Sequence, residues 1–309
     1  MILIFNTLFF TTLPVSPVPD MDVIGYISFL ADSPLWAKEK PFGLTLPADY
    51  EPPKDARLTN LLFDERRLSI KDMRARIEDF TVDQSGFALL KQPTRHLEID
   101  NMTVFEEYKK ETEEILTRLL QPEFIRCWDG RIRKAERLLQ NIQVEDLNDK
   151  LTGSNPVNLA HVDETVAMGH ESIELVLSEE EKTKYMNGGY RVRMINTWRP
   201  MVEDLEHFPL AILDFRSLDP MQDFVPYDQV SPIRHKELYL IKPKKEHQWY
   251  WASRQKRSEL LVFVQYDSMV GSQARCFRNT CADPNAVMRK SIETRSVVIT
   301  KIQHDDKTG

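Results

Sequence analysis

His161, Val162 and Asp163 form an H-x-D tripeptide. Side chains two apart on a strand face the same way, so an imidazole nitrogen and a carboxylate oxygen can meet on one metal ion. With a distant second histidine, such a pair makes a 2-His-1-carboxylate set. That set binds Fe(II) through three protein atoms and leaves three positions open. Alone the tripeptide is a weak signal, and a surface turn following Asn155-Pro156 is the plainer alternative. A second pair, Arg289 and Ser291, stands late in the chain. A planar guanidinium grips a carboxylate through two parallel hydrogen bonds, and a hydroxyl adds another. An exposed basic strand end is the alternative for this pair.

Other residues have polar tips that suit a small-molecule pocket: Trp198, Arg199, His247, Tyr250 and Tyr266. Aromatics at strand spacing serve more often as core, and His247 and Tyr266 read equally as satisfied core polarity. Arg191 and Arg193 fit surface positions. The chain has no Gly-rich phosphate loop, no G-x-S-x-G and no H-E-x-x-H, which sets aside the usual nucleotide, serine-hydrolase and zincin chemistries.

The 309 residues carry a net charge of −7, which argues against a nucleic-acid partner. Three cysteines (Cys127, Cys276, Cys281) make no disulfide framework, so a reduced, cytoplasmic setting is expected. The apolar start of the chain runs for about ten residues, short of the roughly 20 that a membrane span needs. It is expected as a β-like or disordered extension, with no membrane partner. Homo- or hetero-dimers remain open.

The elements that must position these residues fall into two halves. Eight prolines between Pro14 and Pro53 describe an extended arm over residues 1–68. Thr103 and Glu106 form a T-x-x-E capping box, predicting a helix over 104–120, with a second over about 131–142. Ser178 and Glu181 form another capping box that opens a short charged helix. From Tyr190 onward the pattern turns to short strands: Tyr190–Trp198, Leu210–Phe215, Lys236–Ile241, Trp249–Ala252, Leu260–Tyr266 and Ser296–Ile302. An α+β protein with a mainly β core, a sandwich or barrel buttressed by N-terminal helices, is the economical architecture, with residues 69–309 as one domain.

Between Ser69 and Thr300 the chain resembles the hydroxylase/desaturase family of fungal secondary metabolism, including its gibberellin-desaturase-like and cephem-methoxylase-like members. The resemblance rests on Asp72-Met73-Arg74, His161-Val162-Asp163, Asn196-Thr197-Trp198-Arg199-Pro200, Pro209-Leu210-Ala211-Ile212-Leu213-Asp214, His247-Gln248-Trp249-Tyr250-Trp251, Gln265-Tyr266-Asp267-Ser268 and Arg289-Lys290-Ser291-Ile292-Glu293-Thr294-Arg295. It implies a double-stranded β-helix (jelly roll) and Fe(II)/2-oxoglutarate-dependent oxidation of a small-molecule intermediate. His161 and Asp163 match two metal ligands, and Arg289 and Ser291 match the pair that binds the distal carboxylate of 2-oxoglutarate. The family's second histidine is absent: Arg278 stands where it is expected, and no histidine lies between His247 and His304. A guanidinium cannot ligate a metal, and about 4 Å from a dication it costs on the order of 8 kcal/mol at an effective dielectric near ~20. Cys276, Cys281, Asp283 or His247 are the candidate replacements. An inactive homologue, acting as a partner subunit or a small-molecule binder, is the alternative function.

Overall fold

The computed structural model describes residues 21–46, 50–135, 149–151, 153, 159–232, 234–272, 275–276 and 287–302. In chain order the strands are β1 (Val23–Leu30), β2 (Phe42–Leu44), β3 (Phe63–Asp72), β4 (Phe87–Lys91), β5 (Phe124–Lys134), β6 (Ala160–Val162), β7 (Tyr190–Pro200), β8 (Ala211–Leu213), β9 (Phe224–Ser231), β10 (Arg234–Ile241), β11 (Trp249–Trp251), β12 (Glu259–Asp267), β13 (Gly271–Ser272), β14 (Arg275–Cys276) and β15 (Lys290–Lys301). Among the described residues, the helices of seven or more residues are α1 (Met102–Leu120), α2 (Val166–Val176) and α3 (Glu179–Tyr185). The chain is mainly β. Among the described residues, no helix is long and apolar enough to cross a membrane.

The largest sheet runs β13-β12-β7-β15-β5, with β4 sharing the outer edge of β12. A second sheet runs β14-β6-β10-β9-β2 and a third β1-β3-β11-β8. Strands β7 and β15 lie at the middle of the large sheet and are buried almost end to end. One face is covered by α1, whose Phe105, Tyr108, Ile115 and Leu116 meet Ile132, Ile195, Ile292 and Val298. The alternation of strand side chains then puts Arg289, Ser291, Glu293 and Arg295 in one row on the other face. Cross-strand pairing sets Arg295 beside Asn196 and Asp129, Glu293 beside Trp198 and Arg131, and Ser291 beside Pro200 and Arg133. That inner face is therefore polar in its middle. Its ends are apolar: Met194, Val297 and Ile299 pack with Ile173 of α2 at one end, and Trp198 with Phe87 and Phe263 at the other.

Three local expectations change. Helix α1 starts two residues earlier than its capping box suggests, because the Asn101 side chain accepts from the Val104 amide. The second helix, expected over 131–142, begins on residues that are strand. Arg131 and Arg133 face inward while Ile132 packs under α1, a period of two rather than 3.6; residues 136–142 lie outside those described. Arg193 is buried, not at the surface, and pairs with Asp83. The Ser178–Glu181 capping box is present as expected.

At Gly130 a side chain of α1 packs directly on the sheet's backbone. A Cβ there would lie 2.9 Å from Phe105 Cζ and 3.3 Å from the Glu293 carbonyl oxygen. Phe105 is buried and cannot swing out. Gly130→Ala should cost about 1–3 kcal/mol as overpacking, read as a lower urea midpoint with an unchanged m-value.

Candidate functional site

The H-x-D residues come together. His161 lies on β6, paired with Leu240 of β10 on one side and Arg275 of β14 on the other. Asp163 follows one residue past the strand and stays on the same face: His161 Nε2 and Asp163 Oδ1 are 3.4 Å apart, both side chains buried. The Leu159 carbonyl accepts a 2.5 Å hydrogen bond from His161 Nδ1. A carbonyl can only accept, so Nδ1 carries a proton; with a cation bound, Nε2 would offer it the ring's lone pair beside Asp163 Oδ1.

The two oxygens of Asp163 have different neighbours. Oδ1 faces His161, whereas Oδ2 accepts from Asn196 Nδ2 at 3.1 Å and lies 3.4 Å from Nε and Nη2 of Arg295. The Asp163 amide donates to Gln265 Oε1 at 3.0 Å, which holds the main chain where the strand ends. Burial pushes the Asp163 carboxyl up, but Arg295, Lys236 and His161 together hold it well below the usual carboxylate range. Arg295 also reaches Asp129 Oδ2 at 3.1 Å and Glu293 Oε1 at 3.9 Å. Despite burial, these carboxylates raise its pKa. Asn196 bridges the same group by donating to Glu293 Oε1 at 2.7 Å, and Arg133 stands 3.6 Å from Glu293 Oε2.

A cavity of about 600 Å³ opens beside this network. His161, Asp163, Arg295, Asp129 and Arg133 form its polar floor, with Leu61, Phe63, Trp128, Leu159 and Leu238 among its apolar walls. His161 and Asp163 fit a divalent cation as two buried donors at one edge of an open space. Among the described residues, no third His, Cys, Asp or Glu completes a cluster with them. Arg278, Cys281 and Asp283 lie outside the described residues, as does the side chain of Cys276.

Arg289 and Ser291 also meet. Arg289 Nε donates to Ser291 Oγ at 3.0 Å and Nη1 to the Phe208 carbonyl at 3.1 Å, with the guanidinium 5.1 Å from the Trp198 ring centre. Burial and then Arg133 lower the Arg289 pKa to about 9, so it is protonated at neutral pH. The pair lies in the same row as Glu293 and Arg295, beyond the cavity's lining.

The proposed pocket residues are dispersed. Trp198 packs under Arg289, and Arg199 donates to the carbonyls of Gln92 and Arg257 and to Tyr108 Oη. Tyr250 sits in the core against Phe80, and Tyr266 packs over Gly169. His247 Nε2 lies 3.0 Å from Asp223 Oδ2, which commits that ring away from Asp163. None of the five lines the cavity. Sequence reasoning passed over Arg295, Glu293, Asp129 and Lys236. The available signal was the row of four polar residues at alternate positions from Arg289 to Arg295.

A family described as oxidoreductase/YMDC permease-like domain matches residues 27–299. Among relatives, hydroxylase/desaturase efuI of Hormonema carpetanum is 26% identical over 266 residues, covering 79% of this chain and 87% of that protein. The Fe(II)/2-oxoglutarate-dependent dioxygenase nvfI of Aspergillus novofumigatus is 24% identical over 259 residues, covering 77% and 85%. In fold the chain is similar to the solved iron and alpha-ketoglutarate-dependent endoperoxidase NvfI, with a TM-score of 0.75 at 20% identity, covering 91% of this chain and 99% of that one.

The ionic floor sets a pH dependence. Burial pushes the Asp129 carboxyl up, but Arg295 and Lys150 pull it down to about 2. A carboxyl depressed by folding stabilises the fold above its unfolded pKa, about 4, and loses that contribution as pH falls through about 2. The size is on the order of 2 kcal/mol. Urea unfolding at pH 7 and pH 3 should show Asp129→Asn less stable at pH 7 and less sensitive to acid. Parallel pH profiles for variant and wild type would contradict this.

Proposed function

Since the chain belongs to that oxidoreductase family, we propose that it is an Fe(II)/2-oxoglutarate-dependent oxygenase of the hydroxylase/desaturase kind, acting on a small molecule. The observation that carries the reading is the convergence of His161 Nε2 and Asp163 Oδ1 at the edge of the cavity, with the other carboxylate oxygen occupied. His161 and Asp163 would hold the metal. Arg289 and Ser291 would hold the far carboxylate of 2-oxoglutarate, the guanidinium supplying paired donors and the hydroxyl one more. When bound, iron and 2-oxoglutarate supply the oxidising power to remove hydrogen from an aliphatic C–H bond, ending in hydroxylation or desaturation.

The chain's own residues orient and insulate. Leu159 fixes the imidazole tautomer, and Asn196 and Arg295 hold Asp163 so that Oδ1 stays turned to His161. The charges of Arg295 and Lys236 keep Asp163 ionised, the form that ligates. The three sheets are read as a jelly roll with α1 as its buttress and 69–309 as a single domain; of the preceding segment, Val23–Leu30 and Phe42–Leu44 pair into the sheets. A cytoplasmic setting suits the free thiol of Cys127.

Succinate release from 2-oxoglutarate in the presence of Fe(II) and oxygen tests this. His161→Ala and Asp163→Ala should each reduce it to background. Asn196→Ala should weaken Fe(II) binding by about 10–100-fold, the usual cost of removing a group that orients a ligand. Succinate release that survives Asp163→Ala would overturn the assignment.

A further inference from the structure

We infer that the molecule oxidised here carries an anionic group, in the simplest case a carboxylate, held by Arg234 and Lys236 beside an apolar skeleton on Leu61, Phe63, Trp128 and Leu238. This rests on the proposed function and deepens it. Among the described residues, six cationic side chains line the cavity: Arg131, Arg133, Lys150, Arg234, Lys236 and Arg295. Asp129 and Asp163 are the carboxylates among the described lining residues. Glu293 and Glu164 lie buried behind the wall, near Arg133 and Lys236, and with them counted the cations still predominate.

The inner cations are committed to the floor: Arg295 to Asp163 and Asp129, Arg133 to Glu293, and Lys150 to Asp129 at 2.9 Å. The outer ones differ. Arg234 is exposed at the start of β10 and makes no ion pair among the described residues. Lys236, two residues on and on the same face, is 3.2 Å from Glu164. Leu238 follows, then Leu240, which pairs with His161. One strand face thus runs outward from the metal-ligating pair, first apolar and then cationic. At roughly 3.3 Å per residue, and with long side chains reaching back, the anionic group falls on the order of 10 Å from His161 and Asp163. The proposed function assigns the co-substrate's far carboxylate to Arg289 and Ser291, outside the cavity's lining, which leaves these cations for the substrate. A neutral ligand would desolvate the cationic end without compensation, so charge complementarity here selects for acids.

The test uses the full chain under argon, with Fe(II) and 2-oxoglutarate in excess. Isothermal titration compares 2-naphthoate with 2-naphthamide, which share a shape and differ in charge. The acid should bind at least about 10-fold more tightly than the amide, and Arg234→Gln should shrink that ratio to about threefold. Arg234→Lys should restore most of the preference. Arg234 is exposed, so its variants fold; Lys236→Gln is the second variant. Equal affinity for acid and amide in wild type would overturn the inference. So would a preference that survives both Arg234→Gln and Lys236→Gln. Succinate release by the same wild-type protein scores the underlying oxygenase reading separately. Its absence would defeat that reading, while the acid-to-amide ratio still decides the charge preference.

Discussion

Arg295 is the constraint around which the inner face of the large sheet is organised. A guanidinium withdrawn from water costs several kcal/mol unless carboxylates and hydrogen-bond acceptors take water's place. Here Asp163, Asp129 and Glu293 surround it from β5, from β15 itself and from the end of β6. The paired strands β5 and β15 and the end of β6 are thereby held to one charge. The two ends of the same face are apolar and pack normally, so the polar middle is a local feature of the sheet rather than a weakness in its core. Removing any one partner would leave another charge buried and uncompensated, so the group stands as a unit.

The arrangement also explains how a site with a guanidinium against its carboxylate can still take a metal. Asp163 presents two oxygens, and the cation uses only Oδ2. Asn196 binds that same oxygen and ties it to Glu293, so the carboxylate plane is set from behind. Oδ1 is left toward Nε2 of His161, whose own orientation comes from the Leu159 carbonyl. Each proposed ligand atom is thus aimed by a partner bound to the other end of its side chain. The sequence places a guanidinium at Arg278, which lies outside the described residues; among those described, Arg295 supplies one to Asp163.

Much of this was legible in the residues. H-x-D marks a same-face pair wherever it ends a strand, and Arg289-x-Ser291 marks another. The alternation of Tyr190–Trp198 and the Ser178–Glu181 box announced a strand and a helix start. What was not legible came from tertiary pairing. Arg131 and Arg133 look like the solvated face of a helix until β15 supplies Glu293 and Ser291 opposite them. Trp198, Tyr250 and Tyr266 have polar tips suited to a pocket, but burial among neighbours from other strands, not their type, decides their role. His247 reads as a spare ligand until Asp223, 24 residues earlier, claims it.

The account turns on Asp163 serving iron through one oxygen while Arg295 and Asn196 hold the other. The most direct measurement is an anaerobic Fe(II) titration in the presence of 2-oxoglutarate, following the weak visible charge-transfer band of the ternary complex. The account predicts a band that saturates near one iron per chain and disappears in a folded Asp163→Ala variant. A well-folded wild-type chain with no band, or a band indifferent to Asp163→Ala, would contradict it.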